Sequence, residues 1–303
     1  MLPEDVLKHA PKVLSQQQRE EYFEKGYLVL DGFVSAEWMA RLWDVTDQFI
    51  EESRSYTKSN GKIDIEPSHT AENPRLRRLS QPVERHDVFR EFAFNGPIVD
   101  VAEDLLGPNV KYHHSKLNFK WGHGGEEVKW HQDIQFWPHS NYSPLTIGLY
   151  MNDVDDEMGP MGVIPGSHNG ELFDLYGEDG NWTGSIRDAD MPRVPVEKAE
   201  YLKGRRGSIT VHNCRSVHGS APNLSANPRP LLLHTYAAAD ALTMEPSIVA
   251  AFEHANTIVR GERAKWIRFD PRPCLAPPDF SKKYTSIFAV QQGEEKQASR
   301  QMM

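Results

Sequence analysis

The chain has 303 residues, 39% of them hydrophobic and 10% aromatic, which excludes general disorder and provides for a sizeable core. Its formal net charge of −9 lacks the basic footprint that nucleic-acid binding requires. Two distant cysteines, Cys214 and Cys274, exclude a disulfide scaffold and a structural zinc finger and fit a reducing, cytoplasmic setting.

The opening MLPEDVLKHAPKVL is too polar for a signal-peptide core, and no run of eighteen apolar residues provides a membrane span. Residues 14–25 read as a helix capped by Ser15 and ended by Gly26, followed by a short strand from Tyr27 to Leu30. A longer helix over about 35–52 has Met39, Leu42, Trp43, Val45 and Phe49 near helical spacing. Residues 53–75 read as loop, and 85–106 as helix again, stopping before Gly107-Pro108.

From residue 110 short strands take over, at 110–120, 127–134, 145–151, 161–164, 207–212 and 229–237, broken by Gly, Pro and Asn. That rhythm predicts a sandwich or closed roll rather than a parallel α/β sheet. The expected organisation is one domain over 1–303, with a helical part to about 108 and a β core over about 109–240. A C-terminal extension runs over about 241–303, and its polar tail from about 291 is expected to fray. The polar, aromatic-dotted stretch 169–203 is expected to be a lid inserted in the core.

The strongest chemical signal is Trp130-His131-Gln132-Asp133. On a strand, His131 and Asp133 share one face and Gln132 takes the other, so an imidazole and a carboxylate can meet one metal. His218 lies after a predicted strand and before a Pro-Asn turn, where it can face the same cavity. Two histidines and a carboxylate on one face of a metal leave open positions for a chelating ligand and O2, as in non-heme Fe(II) oxygenases, though zinc also accepts this set. His212, six residues before His218, is the competing third ligand; the Gly-Ser and Arg spacing favours His218. Arg229 enters the apolar strand Leu231-Leu232-Leu233, where a guanidinium needs an anion. The distal carboxylate of 2-oxoglutarate suits it.

At these residues the chain resembles the phytanoyl-CoA dioxygenase superfamily of Fe(II)/2-oxoglutarate oxygenases. The likeness runs from Glu21 to Phe33, through residues 130–133, Gly159-Pro160 and Ile164-Pro165-Gly166-Ser167-His168, to His218-Gly219-Ser220 and Arg229. It implies a double-stranded β-helix, a jelly-roll relative, with helices outside. It also implies iron on His131, Asp133 and His218, with Arg229 gripping 2-oxoglutarate and Ser220 assisting. A local likeness to ectoine hydroxylases covers Leu117-Asn118-Phe119-Lys120, Trp137 and Asn213-Cys214. It implies Asn118 at the cosubstrate and Trp137 beside the metal. After Asp133 the chain departs from that pattern, reading IQFWPHSNYSPLT.

Alternation over 112–120 places Tyr112, His114, Lys116, Asn118 and Lys120 on one polar face, lining either solvent or a pocket. Lys120 and Arg215 are left without assigned roles, and His168 reads as part of a turn. The expected activity is hydroxylation of a small polar metabolite, with O2 consumed and 2-oxoglutarate converted to succinate and CO2. The rivals are a zinc-dependent cupin-like hydrolase or isomerase and a non-catalytic metabolite-binding module. A small molecule is the expected partner, with no nucleic acid and no membrane.

Overall fold

The computed structural model describes residues 1–244, 252–278 and 286–293. The tail expected to fray lies, beyond residue 293, outside the described residues. Helices α1 (Pro3–Val6) and α2 (Gln16–Lys25) open the chain. Ser15 caps α2 in a reciprocal capping box with Gln18, and Gly26 ends it at φ 83°, a conformation glycine adopts without strain. After β1 (Tyr27–Leu30), the helix α3 (Ala36–Ser53) starts on Ser35, whose hydroxyl accepts from the Trp38 N–H.

The expected loop over 53–75 contains β2 (Ile63–Ile65), and β3 (Leu76–Ser80) follows. Their alternation spans too few residues to register in the sequence. The single helix expected over 85–106 is divided: α4 (Pro82–Arg85) precedes α5 (Asp87–Asn95), and α6 (Ile98–Leu106) begins after Gly96-Pro97. Proline lacks the N–H that would continue α5.

The remaining strands are β4 (Val110–Asn118), β5 (Val128–His131), β6 (Leu145–Tyr150), β7 (Met161–Val163), β8 (Glu200–Leu202), β9 (Ile209–Asn213), β10 (His218–Ser220), β11 (Leu231–Ala238) and β12 (Ile258–Arg260). A short helix, α7 (Ile287–Gln291), comes last. The strands form two antiparallel sheets. One has the order β1-β9-β6-β11-β4-β3-β2, with β12 also on β4, and the other β5-β10-β7-β8. This is a jelly-roll core, the double-stranded β-helix expected from the sequence.

Alternation assigns the faces of the large sheet. Leu117, Ile147, Val211 and Leu232 join Leu42, Phe49, Phe89, Phe92, Val101 and Leu105 of the helices in the main apolar core. The residues between them, among them Lys116, Asn118, His212, Leu231 and Leu233, line a cavity on the other face. One irregularity matters there. His114 pairs with Thr235 but Tyr112 pairs with Tyr236, so His113 is the extra residue of a β-bulge. The bulge reverses the alternation, and Tyr112, expected on the polar face, is instead fully buried in the helix-side core.

Segment 169–203 buries Phe173, Leu175, Ile186 and Val194 against Phe136, Trp137, Ile287 and Phe288. Arg187 and Arg193 both pair with Asp190 within it. No described helix is long and apolar enough to cross a membrane.

Candidate metal centre

Strand β5 ends at His131, Gln132 stays extended, and Asp133 opens a single 3-10 turn. The extended Gln132 keeps the alternation. Its amide points away and binds the Glu171 and Arg215 carbonyls, while His131 and Asp133 face the cavity. Across the small sheet, His218 of β10 is the direct partner of His131 in the β5–β10 ladder. Directly paired residues have neighbouring side chains, so the imidazole centroids lie 4.2 Å apart.

His131 Nε2 stands 3.7 Å and His218 Nε2 3.9 Å from Asp133 Oδ1. One ligand atom from each of the three residues lies within 4.8 Å of the others, and all three residues are buried. Each histidine binds a backbone carbonyl through Nδ1, His131 that of Lys129 at 2.8 Å and His218 that of Ser216 at 2.9 Å. This fixes the ring orientation and leaves Nε2 for a metal.

Asp133 Oδ2 is occupied separately, by His212 Nε2 at 3.3 Å and the Thr146 hydroxyl at 3.5 Å. Burial raises the Asp133 carboxyl, but the Lys116 ammonium and the His131, His212 and His218 imidazoles outweigh it and hold it well below the usual carboxylate range. Burial, helped by His131 and His212, keeps His218 neutral well below its ordinary value. A neutral imidazole and an ionised carboxylate are the forms that ligate a metal.

The same cavity, about 60 Å³, is lined by Arg229, Ser220 and Asn118. Arg229 is 4% exposed, and its Nε and Nη1 have no partner. The Asn118 side-chain oxygen is likewise buried and unpartnered. Buried unsatisfied guanidinium donors are costly, and a carboxylate would satisfy them. The donor set and these orphaned atoms therefore fit ferrous iron together with a dicarboxylate cosubstrate.

Lys120 does not offer its charge to the cavity. Its ammonium holds the Ser220 hydroxyl at 2.7 Å and the Ser220 carbonyl at 3.1 Å, which positions Ser220. Trp137 is buried at one remove, its ring 5.6 Å from that of His114, and lines a small recess beside Asp133 rather than the cavity holding Arg229. Arg215 donates to the His168 and Gly170 carbonyls and stacks on Tyr142, and His168 donates from Nε2 to the Phe23 carbonyl. Both tie loops together away from the triad.

Sequence reasoning overlooked Arg78, Met161, Ile287 and Phe288. Arg78 carries a weak signal, since it pairs with Asn118 across β3–β4, but β3 itself was unrecognised. Ile287 and Phe288 come from a distant short helix with no local motif.

The phytanoyl-CoA dioxygenase (PhyH) family profile matches residues 22–231. A protein of Stutzerimonas stutzeri described as a probable alpha-ketoglutarate-dependent hypophosphite dioxygenase is 35% identical over 228 residues, covering 74% of this chain and 79% of the relative. The ectoine dioxygenase of Sphingopyxis alaskensis is 28% identical over 232 residues, covering 71% and 73%. Among solved structures, the apo form of EctD from S. alaskensis superposes with a TM-score of 0.68 at 23% identity, covering 86% of this chain and 92% of that one. With the profile spanning well over half its length, the chain belongs to the phytanoyl-CoA dioxygenase family.

Proposed function

We propose that the chain is an Fe(II)/2-oxoglutarate-dependent dioxygenase that hydroxylates a small polar substrate, holding iron on His131, Asp133 and His218. The observation that carries this reading is the convergence of those three buried ligands with the partnerless Arg229 guanidinium in one cavity. The balanced reaction is R–H + 2-oxoglutarate + O2 → R–OH + succinate + CO2. Iron, when bound, supplies the redox chemistry that couples cosubstrate oxidation to insertion of oxygen into the substrate.

The chain's own residues do the rest. Arg229 binds the far carboxylate of 2-oxoglutarate with two parallel hydrogen bonds, and Asn118 and Ser220 orient the cosubstrate. His212 and Thr146 hold Asp133 Oδ2, which leaves Oδ1 for the metal. Met161, Leu231, Leu233, Ile287 and Phe288 line the cavity and exclude water. Relatives described as acting on hypophosphite and on ectoine support a small substrate.

The test is succinate release and O2 uptake by protein reconstituted with Fe(II), and separately with zinc, over a panel of small metabolites. Substrate-stimulated release with iron alone is expected, and Asp133→Ala should abolish it. Equal turnover with zinc and no O2 uptake would overturn the reading.

A further inference from the structure

Beside the cavity, and sharing Lys116, Asp133 and Ile287 with it, lies a recess of about 10 Å³, room for roughly one water. Its polar wall is Arg78, His114 and Lys116, and its apolar wall includes Phe136, Trp137 and Ile287. Strand register separates this group from the cosubstrate anchor. The Arg229 N–H binds the Lys120 carbonyl, whereas Lys116 pairs with Leu233 and His114 with Thr235. Lys116 thus stands four residues along the strand from the Arg229 level, roughly 13 Å of backbone. Regular alternation with Lys116 turns His114 into the recess, where its Nδ1 is tied to His113 Nδ1 at 2.8 Å and Nε2 is its remaining ring nitrogen.

Lys116 makes no hydrogen bond and no ion pair among the described residues. The carboxylate whose field reaches it is Asp133. That carboxylate is committed to His131, His218 and His212, and to a metal once one is bound. A charge count then leaves an excess. One ferrous ion and Arg229 are balanced by Asp133 and the two carboxylates of 2-oxoglutarate, which leaves Lys116 without a counter-ion of its own among the described residues. A half-buried ammonium facing a cavity is favoured by an anion that enters it. Lys116 lines the larger cavity as well as the recess, so an anionic group meets it from the cavity side, while the recess itself holds no more than a water.

We propose that the substrate is itself a small anion, a carboxylate or a phosphorus oxyanion, whose charged group is held by Lys116 with Arg78 and His114 beside it. The rest of the molecule then faces the His131–Asp133–His218 centre. This inference rests on the oxygenase reading above, and Lys116 is its specificity-determining residue.

The test uses the full chain with Fe(II), 2-oxoglutarate and O2. Succinate release is measured with phosphorus oxyanions (hypophosphite, methylphosphonate), with carboxylates (L-proline, ectoine), and with the amides or methyl esters of the carboxylates. One arm of anions should stimulate release and thereby identify the source, while the uncharged counterparts should not. For that anion, Lys116→Met should raise KM tenfold or more with a smaller change in kcat, and Lys116→Arg should recover most of the loss. Lys116→Gln provides a second neutral variant should Lys116→Met fold poorly. Stimulation by uncharged counterparts equal to that by anions, stimulation by no anion, or an unchanged KM in both neutral variants would overturn the proposal. Anaerobic 2-oxoglutarate binding to the Fe(II) protein separates the two readings. Where it binds and the anion results fail, the substrate inference alone falls; where it does not bind, the oxygenase reading falls and takes this inference with it.

Discussion

Two histidines compete for the third ligand position, and their hydrogen bonds separate them. His218 has Nδ1 on a backbone carbonyl and Nε2 toward Asp133 Oδ1, whereas His212 uses Nε2 on the other carboxylate oxygen. His218→Gln should therefore lose stoichiometric iron, and His212→Gln should retain it, as read by iron per chain after anaerobic reconstitution. The reverse result would exchange the two roles. At the far end of the cavity, Arg229→Ala removes the partner of a buried carboxylate. Such losses cost about 2 kcal/mol or more, so the 2-oxoglutarate requirement should rise roughly thirtyfold or beyond. An unchanged requirement would assign that carboxylate to another residue. The sequence suggested these positions through the spacing of His131 with Asp133 and of His218 with Arg229, taken together with the resemblance to the dioxygenase superfamily. Lys116 was visible only as a polar face that solvent would have explained equally well.

At the scale of elements, the pairing of β5 with β10 brings the histidines together. Gly219 permits it, since a Cβ there would sit 2.9 Å from the Val128 carbonyl oxygen and 3.2 Å from the Trp130 nitrogen. Gly219→Ala should part these strands, lowering both iron affinity and thermal stability; a variant that keeps both would show that the strands have slack. On β11, His234 is fully buried on the helix side, its ring edge-on to Phe92 and both nitrogens unpartnered. Burial lowers its pKa to about 3 from an ordinary 6.5. As pH falls below about 6.5, the unfolded chain takes up this proton while the folded one does not. Stability is then lost down to about pH 3, at about 1.4 kcal/mol per pH unit for this one group. His234→Leu should flatten the acid limb of the stability curve, measured by urea unfolding at successive pH values; an unchanged limb would locate the sensitivity elsewhere. Neither feature was readable beforehand. A three-residue strand such as β10 is too short for periodicity, and the bulge at His113 breaks the alternation on which face assignment depends.

For the whole molecule, the alternating short strands after residue 110 foretold the roll, but not that β1, β2 and β3 from the N-terminal part complete its large sheet. Nor did any local pattern show that α7 returns across the chain. Gln291 of that helix accepts from the Lys129 N–H at 2.9 Å and donates to the Gly184 carbonyl at 2.8 Å, which seats Ile287 and Phe288 over the cavity. Because the two sheets meet at the triad, a ligand there bridges them. Anaerobic Fe(II) with 2-oxoglutarate at a hundred times its dissociation constant should stabilise the fold by about 2.7 kcal/mol, seen as a melting midpoint raised by several degrees. The most direct check is an anomalous scattering map at the iron edge from anaerobic crystals grown with Fe(II) and 2-oxoglutarate. One peak is expected, bounded by His131 Nε2, Asp133 Oδ1 and His218 Nε2, with the distal carboxylate against Arg229. No peak there, or a peak instead at the surface group of Glu84, Glu253 and His254, would contradict it.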